Sequence, residues 1–217
     1  MSEFDYEPIP GIPGDLPAGE RILMQVRPSW RAFAIHAFHA RKIAVYCAAL
    51  LAWRVGASVA AGKGWSGALL DGAWVAPLAV AGVVIPTLLA WVYARTSIYT
   101  ITDRRLILRT GAALPMTFNL PYRQIDSAAL RLFADGAGDI PLCLKGGDRL
   151  AYAHLWPHVR PWRFAHPQPM LRAVPDAAKV AGVLSAALSD AQSLVPSGTG
   201  ARADVARPVA SLSPAAA

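Results

Sequence analysis

The sequence predicts an α+β membrane protein: a two-helix transmembrane hairpin, then a small antiparallel β-barrel or sheet capped by a C-terminal helix. Three observations predict it. Of the 217 residues, 54% are hydrophobic and only 16% charged, with a mean hydropathy of +0.34. An ordinary soluble domain has about 25% charged and about 45–50% apolar residues. Nearly all of the apolar excess sits in two runs, 43–62 and 73–94. Beyond residue 94 the pattern changes to short alternating segments separated by turn residues. The low charge excludes disorder over the whole chain. Two cysteines, Cys47 and Cys143, exclude a disulfide framework and a four-thiolate zinc site.

Residues 1–16 form an acidic arm, and residues 1–20 sum to −5. Residues 21–42 answer with +5, from Arg21, Arg27, Arg31, Arg41 and Lys42. A basic stretch beside an apolar run reads as contact with anionic lipid headgroups, and no reader motif for nucleic acid accompanies it. Over Trp30–Lys42 (WRAFAIHAFHARK), Trp30, Phe33, Ala37 and Phe38 recur near helical spacing, as in an interfacial amphipathic helix. His36 and His39 invite a metal or pigment ligand reading, but no carboxylate or thiolate nearby completes such a site.

The first run, Ile43–Gly62, has twenty residues and one charge; the second, Ala73–Ala94, has twenty-two and none. Either would make a helix of roughly 30 Å, enough to cross a hydrocarbon core. Pro77 falls in the first turn of the second run, and interior Pro86 predicts a kink. The connection 63–72 carries one Lys, while the outer flanks are rich in Lys and Arg, so both termini are expected to be cytoplasmic and 63–72 periplasmic. Trp65, Trp74, Trp91 and Tyr93 suit an aromatic belt. The run begins 42 residues in and is followed by a second, so no signal cleavage is expected. Arg54 is the one charge within a span. It either snorkels outward with help from Asp71 or meets a partner on another membrane protein. Ala52, Gly56 and Ala60 form a small-residue stripe of the kind that lets helices approach.

The remainder, 95–190, reads as a compact cytoplasmic module. SIYTIT (97–102) and RLILR (105–109) alternate around an Asp103-Arg104 turn. Further strands are expected over 113–120, 124–133 (bent or bulged), 140–144 and 149–152, the last two flanking Lys145-Gly146-Gly147-Asp148. A Pro-rich stretch, 157–175, follows. Over Asp176–Ser189 the helical period returns, with Val180, Val183, Leu184, Ala187 and Leu188 on one face and Asp176 placed to cap the helix. The Ala/Ser/Pro-rich tail, 191–217, is expected to be disordered.

A curled sheet closed by one C-terminal helix is the layout of a pleckstrin-homology (PH) domain. YTITDRRLILRTG (99–111) resembles the strand pair of bacterial PH-like membrane proteins, and PYRQIDSAAL (121–130) resembles their next segment. In that group a PAGERIL-type segment (here 17–23) precedes the hairpin, which implies that residues 17–29 add a strand to the module. HVRPWRFAHPQPMLRAVPDAAKVAGVLSAAL (158–188), with the opening EFDYEPIPGIPGDLPAGERIL, resembles photosynthetic complex assembly proteins of the PuhB type. That resemblance implies a non-enzymatic assembly factor in the inner (intracytoplasmic) membrane of a purple bacterium. Its implied clients are subunits of the reaction centre and of the light-harvesting 1 antenna, and it implies self-association as a homo-oligomer, a dimer.

Catalytic chemistry finds little support. Gly136-Ala137-Gly138 lacks the rest of a phosphate loop, the serines sit in no base-flanked motif, and His154, His158 and His166 match no zinc spacing. No enzyme, cofactor or metal is expected. The candidates for contact with a partner or the membrane are Arg54, Arg104, Arg105, Arg160, Trp162, Arg163, Met170 and Arg172. Arg, Trp and Met are enriched at interface cores; Arg104 and Arg105, close after the second run, suit lipid contact. A lipid-sensing or envelope-stress protein with the same module and no photosynthetic client stays open as the alternative.

Overall fold

The structure, a computed structural model, describes residues 9–12, 14–111, 115–145 and 151–193. Strand β1 (Ile22–Val26) leads to a short helix α1 (Trp30–Ala32), which continues as a π-helical turn, Phe33–Ala37. Two long helices follow, α2 (Ala40–Ala60) and α3 (Gly64–Thr96). At 1.5 Å per residue they run about 31 Å and about 50 Å. Both are long and apolar enough to cross a bilayer, and they pack side by side. Gly72 and Val55 meet in their seam, where a Cβ on Gly72 would lie 2.8 Å from Val55 Cγ2. Ala52, Gly56 and Ala60 all face outward, so the small-residue stripe is not what joins these two helices.

Two boundaries differ from the sequence reading. Residues 64–72 belong to α3 and not to a loop. Asp71 explains why: its carboxylate accepts from Lys63 Nζ (2.8 Å) and Ser58 Oγ (2.6 Å) and lies 3.4 Å from Arg54 Nη2, which draws this stretch against α2. The amphipathic segment 30–42 is not one helix either. His39 takes a left-handed conformation (φ 55°, ψ 30°) and ends the first element. Phe33 and its neighbours turn inward to form a small core with Ala40, Ala90, Ala137 and Ala173, joining the hairpin to the β-domain. Alanine allows that join because helix and strand backbones must approach closely.

In the β-domain, β2 (Ile98–Thr102) and β3 (Arg105–Thr110) form the expected hairpin, with Tyr99 opposite Leu108 and Ile101 opposite Leu106. On either side lie β1, antiparallel to β2, and β4 (Met116–Pro121), giving the order β1-β2-β3-β4. A 3₁₀ turn, Tyr122–Gln124, starts a second sheet. There β5 (Ile125–Ala128) and β6 (Arg131–Leu132) both pair with β7 (Gly138–Leu144), and so does β8 (Met170–Val174). The single bent strand expected over 124–133 is thus two strands and a turn. Among the described residues the two sheets do not close into a barrel. Helix α5 (Ala177–Ser193) lays Val180, Leu184 and Ala187 over a core of Tyr99, Ile101, Leu106, Leu108, Leu142 and Leu171. Asp176 precedes it with φ 48°, and its backbone carbonyl, not its carboxylate, accepts from Lys179 and Val180.

β8 was hidden from sequence reasoning. All five of its residues are buried, so it shows no alternation, and Pro167, Pro169 and Pro175 surround it. Of the strand expected over 149–152, residues 149 and 150 lie outside the described residues, Ala151 is in no strand, and Tyr152 opens a helical turn, α4 (Tyr152–Leu155). Of the expected disordered tail, residues beyond 193 also lie outside the described residues.

Candidate functional site

The segment from Trp156 to Pro169 crosses the foot of the hairpin and is pinned from beneath by a buried polar chain. His158 is fully buried. Its Nδ1 lies 2.7 Å from Tyr99 Oη and its Nε2 lies 2.9 Å from Ser97 Oγ. The Arg172 backbone N–H donates to Tyr99 Oη (3.1 Å), and Ser97 Oγ donates to Thr110 Oγ1 (3.3 Å). One proton arrangement satisfies every group: Arg172 N–H to Tyr99, Tyr99 O–H to His158 Nδ1, His158 Nε2–H to Ser97, Ser97 to Thr110. It requires a neutral imidazole. Burial, reinforced by the nearby Arg172 charge, pushes the His158 pKa down to about 3, and burial pushes the Tyr99 phenol up.

Arg172 is itself buried on β8. Its Nη1 donates to Pro157 O (3.0 Å), while its Nε, also buried, meets no acceptor among the described residues. Burial lowers its pKa, with Asp139 acting against the shift. Above it opens a cavity of about 250 Å³, walled by Tyr152, Trp156, Trp162 and Phe164, with His39 at its edge. Trp162 (φ 64°) and Phe164 stand out on the loop, 85% and 62% exposed, their rings edge-on at 6.4 Å. Trp156 meets Tyr93 of α3 edge-on at 5.6 Å and Phe38 at 5.9 Å, so the aromatic set runs down to the hairpin. Large, rigid aromatic side chains on a fixed frame around a cation are what a recognition site requires.

Of the residues singled out from sequence, Trp162 and Arg172 therefore share one cavity. Arg160 and Arg163 lie exposed on the same loop, Arg160 held by Gln168 (Nη1 to Oε1, 3.0 Å). Met170 is 4% exposed and packed in β8, which removes it as a contact residue. Arg105 makes a two-pronged ion pair with the buried carboxylate of Glu20, Nε and Nη2 each at 2.9 Å. This clasp fastens the N-terminal segment to β3. Arg104 sits in the turn after β2, about 16 Å of strand beyond the end of α3, and lies 3.5 Å from Gly19 O. Closeness in sequence to the second apolar run thus does not bring Arg104 and Arg105 to its end. Arg54 finds its partners within the chain, at Ser58 and Asp71.

Sequence reasoning missed a second cluster, where Arg41, Lys42, His36 and His39 meet Arg131 and Phe133. The basic stretch before the first run was visible; the turn that supplies Arg131 was not. Among the described residues no group of three or more His, Cys, Asp or Glu side chains could hold a metal ion. His36 stacks flat on Phe133, centroids 3.7 Å apart.

Two small sheets closed by a C-terminal helix and joined to a helical hairpin define a PH-like module with two apolar helices. The bacterial PH domain family model matches residues 35–188, and the chain belongs to that family. It is also 44% identical over 195 residues to an uncharacterized 23.7 kDa protein in the puhA 5′ region of Rhodobacter capsulatus, covering 85% of this chain and 87% of that relative. No solved structure matches the chain.

Proposed function

We propose that this protein is a non-enzymatic, membrane-anchored assembly factor for the photosynthetic reaction centre and its light-harvesting antenna. The observation that carries the reading is the exposed Trp162–Phe164 pair above Arg172, held by a fully buried hydrogen-bond chain. Burying polar groups to fix an exposed aromatic loop makes physical sense for a surface that must be preoriented before it meets its client. The client class comes from the resemblance of residues 158–188 to PuhB-type assembly proteins, and the Rhodobacter capsulatus relative from the puhA 5′ region supports it. The hairpin would sit in the inner membrane with both termini cytoplasmic, as the Lys/Arg balance around it indicates. Confinement to the bilayer raises the effective concentration of client subunits at the loop, so modest contacts suffice. Self-association as a dimer belongs to the same reading.

The test is affinity purification of the full-length protein from mildly solubilised membranes of pigmented cells caught while assembling their complexes. Near-infrared absorbance and subunit identification should show reaction-centre polypeptides enriched over an unrelated two-span control. The double variant Trp162→Ala/Phe164→Ala should cut that enrichment by about thirtyfold or more, the loss expected from even one hot-spot side chain of about 2 kcal/mol. An eluate holding only lipid and the protein itself after cross-linking would favour the lipid-sensing alternative.

A further inference from the structure

Where α2 leaves the β-domain a cleft of about 490 Å³ opens, within the range of ligand sites. Three permanent cations meet there from two distant parts of the chain: Arg41 and Lys42 in the first turn of α2, and Arg131 on β6. The first turn of α2 adds the positive end of a 21-residue helix. His36 and Phe133 form one wall, their planes only 6° apart, and the Arg131 guanidinium lies 5.6 Å from the Phe133 centroid. Asp135 Oδ2 stands 3.9 Å from His36 Nε2 and offsets at most one of these charges. Burial first, then the Lys42 and Arg172 charges, hold His39 below the usual imidazole pKa. The cleft thus combines three cations among its lining residues with a flat aromatic wall and a helix N-terminus.

The open side of the cleft selects the kind of anion. Val45 lines it one turn beyond Arg41 on the same helix face and is 67% exposed. From there the outward surface of α2 continues apolar toward Trp53. A ligand whose charged head sits among the cations thus has its remainder directed along an apolar helix, which suits a lipid and wastes nothing on a soluble phosphate ester. We infer that this cleft holds the phosphodiester headgroup of an anionic phospholipid, with Arg41, Lys42 and Arg131 around the phosphate and an acyl chain along Val45. The inference rests on the membrane placement proposed above and adds to it a specific lipid seat, which adjoins the Trp162 cavity through His39 and shares no cation with it.

The test uses the full chain reconstituted into phosphatidylcholine vesicles with and without phosphatidylglycerol, floated on a gradient, then extracted in mild detergent for native mass spectrometry. Retention of phosphatidylglycerol should exceed that of phosphatidylcholine by about tenfold or more, given about 1 kcal/mol for each basic side chain at such a surface. The variant Arg41→Gln/Lys42→Gln/Arg131→Gln should lose the preference. A charge-matched variant on other exposed positions, Arg123→Gln/Lys145→Gln/Lys179→Gln, should keep it. Arg131→Gln alone, on an exposed two-residue strand, carries the same test if the triple variant does not fold, with a loss of about threefold or more. Protein that floats with both vesicles yet retains the two lipids equally, or a triple variant that still prefers phosphatidylglycerol, overturns the lipid seat. Glycerol 3-phosphate retained as well as the lipid overturns it too, in favour of a soluble phosphate ester. Protein that floats with neither vesicle overturns the membrane placement itself.

Discussion

In the helical hairpin Trp53, Trp74 and Leu78 turn 71%, 86% and 75% of their surface outward, whereas in the β-domain Tyr99, Ile101, Leu106 and Leu108 expose none. The polar groups of the two regions differ as well, although the domain also buries Glu20 against Arg105 and Arg172 against Pro157. In the hairpin, Arg54, Lys63 and Asp71 gather as charges around the buried Ser58 hydroxyl at the end away from the domain, their own side chains partly exposed. In the domain, Ser97, Tyr99, His158 and Thr110 form a chain of neutral groups with no exposure to speak of. Charges are tolerable where water or headgroups can still reach them, since full burial of an ion pair often costs more than the pair returns. Neutral hydrogen bonds can go to the centre, provided none is left unpaired. The hairpin leaves its apolar side chains to its surroundings; the domain must pack its own.

The contrast can be broken most forcefully at His158. His158→Ala removes the partner of both Tyr99 and Ser97 and leaves a void, and should cost about 2–5 kcal/mol in unfolding of the detergent-solubilised chain. An Arg54→Leu variant, which leaves Asp71 paired with Lys63, should cost under about 1 kcal/mol in the same measurement. Equal costs would erase the distinction between the two polar clusters.

Glycine gives a second comparison. At Gly138 a Cβ would sit 2.6 Å from the Arg131 carbonyl oxygen and 2.8 Å from Ala177 Cβ, both fixed by backbone. Gly138→Ala should therefore cost about 1–3 kcal/mol. Gly72→Ala meets only a Val55 methyl and gains helix propensity of about 1 kcal/mol, so its net effect should be within about 1 kcal/mol of zero. Paired thermal melts would show whether the hairpin seam gives way where the domain cannot.

Acid sharpens the comparison further. His158 has a folded pKa of about 3, below its unfolded value of about 6.5, so the unfolded chain binds the extra proton first. Its contribution is complete above about pH 6.5 and is lost as pH falls toward about 3, at up to about 1.4 kcal/mol per pH unit. His158→Gln should flatten the stability profile by about one proton in that window, measured as the difference between variant and parent melts. A variant profile parallel to the parent would show that His158 does not set the acid response.

The parts of this protein that were legible without coordinates are those set by neighbours in sequence. Both long helices, the β2–β3 hairpin around Asp103-Arg104, and the Val180–Leu184–Ala187 face of α5 each follow from a run or a period. Trp162 stands out in the sequence by residue type, but its exposure and its position above Arg172 do not. What was misread has the same cause throughout: the deciding contact comes from far along the chain. Arg105 reads as a surface cation until Glu20, 85 residues away, reaches it. His158 reads as an unplaced histidine until Ser97 and Tyr99 close around it, 61 and 59 residues away.

The sequence by itself determined that two segments can cross a membrane, that the rest is a small β-domain with a terminal helix, and that cationic charge collects before the first helix. These follow from hydrophobicity and backbone preference, which add up over a handful of adjacent residues. Only the tertiary structure decided which cations are already neutralised, which aromatics stay outside, and that Arg131 joins Arg41 and Lys42 in one cleft. Pairing of that kind depends on distances between segments remote in sequence, and those distances exist only once the sheets and helices have packed.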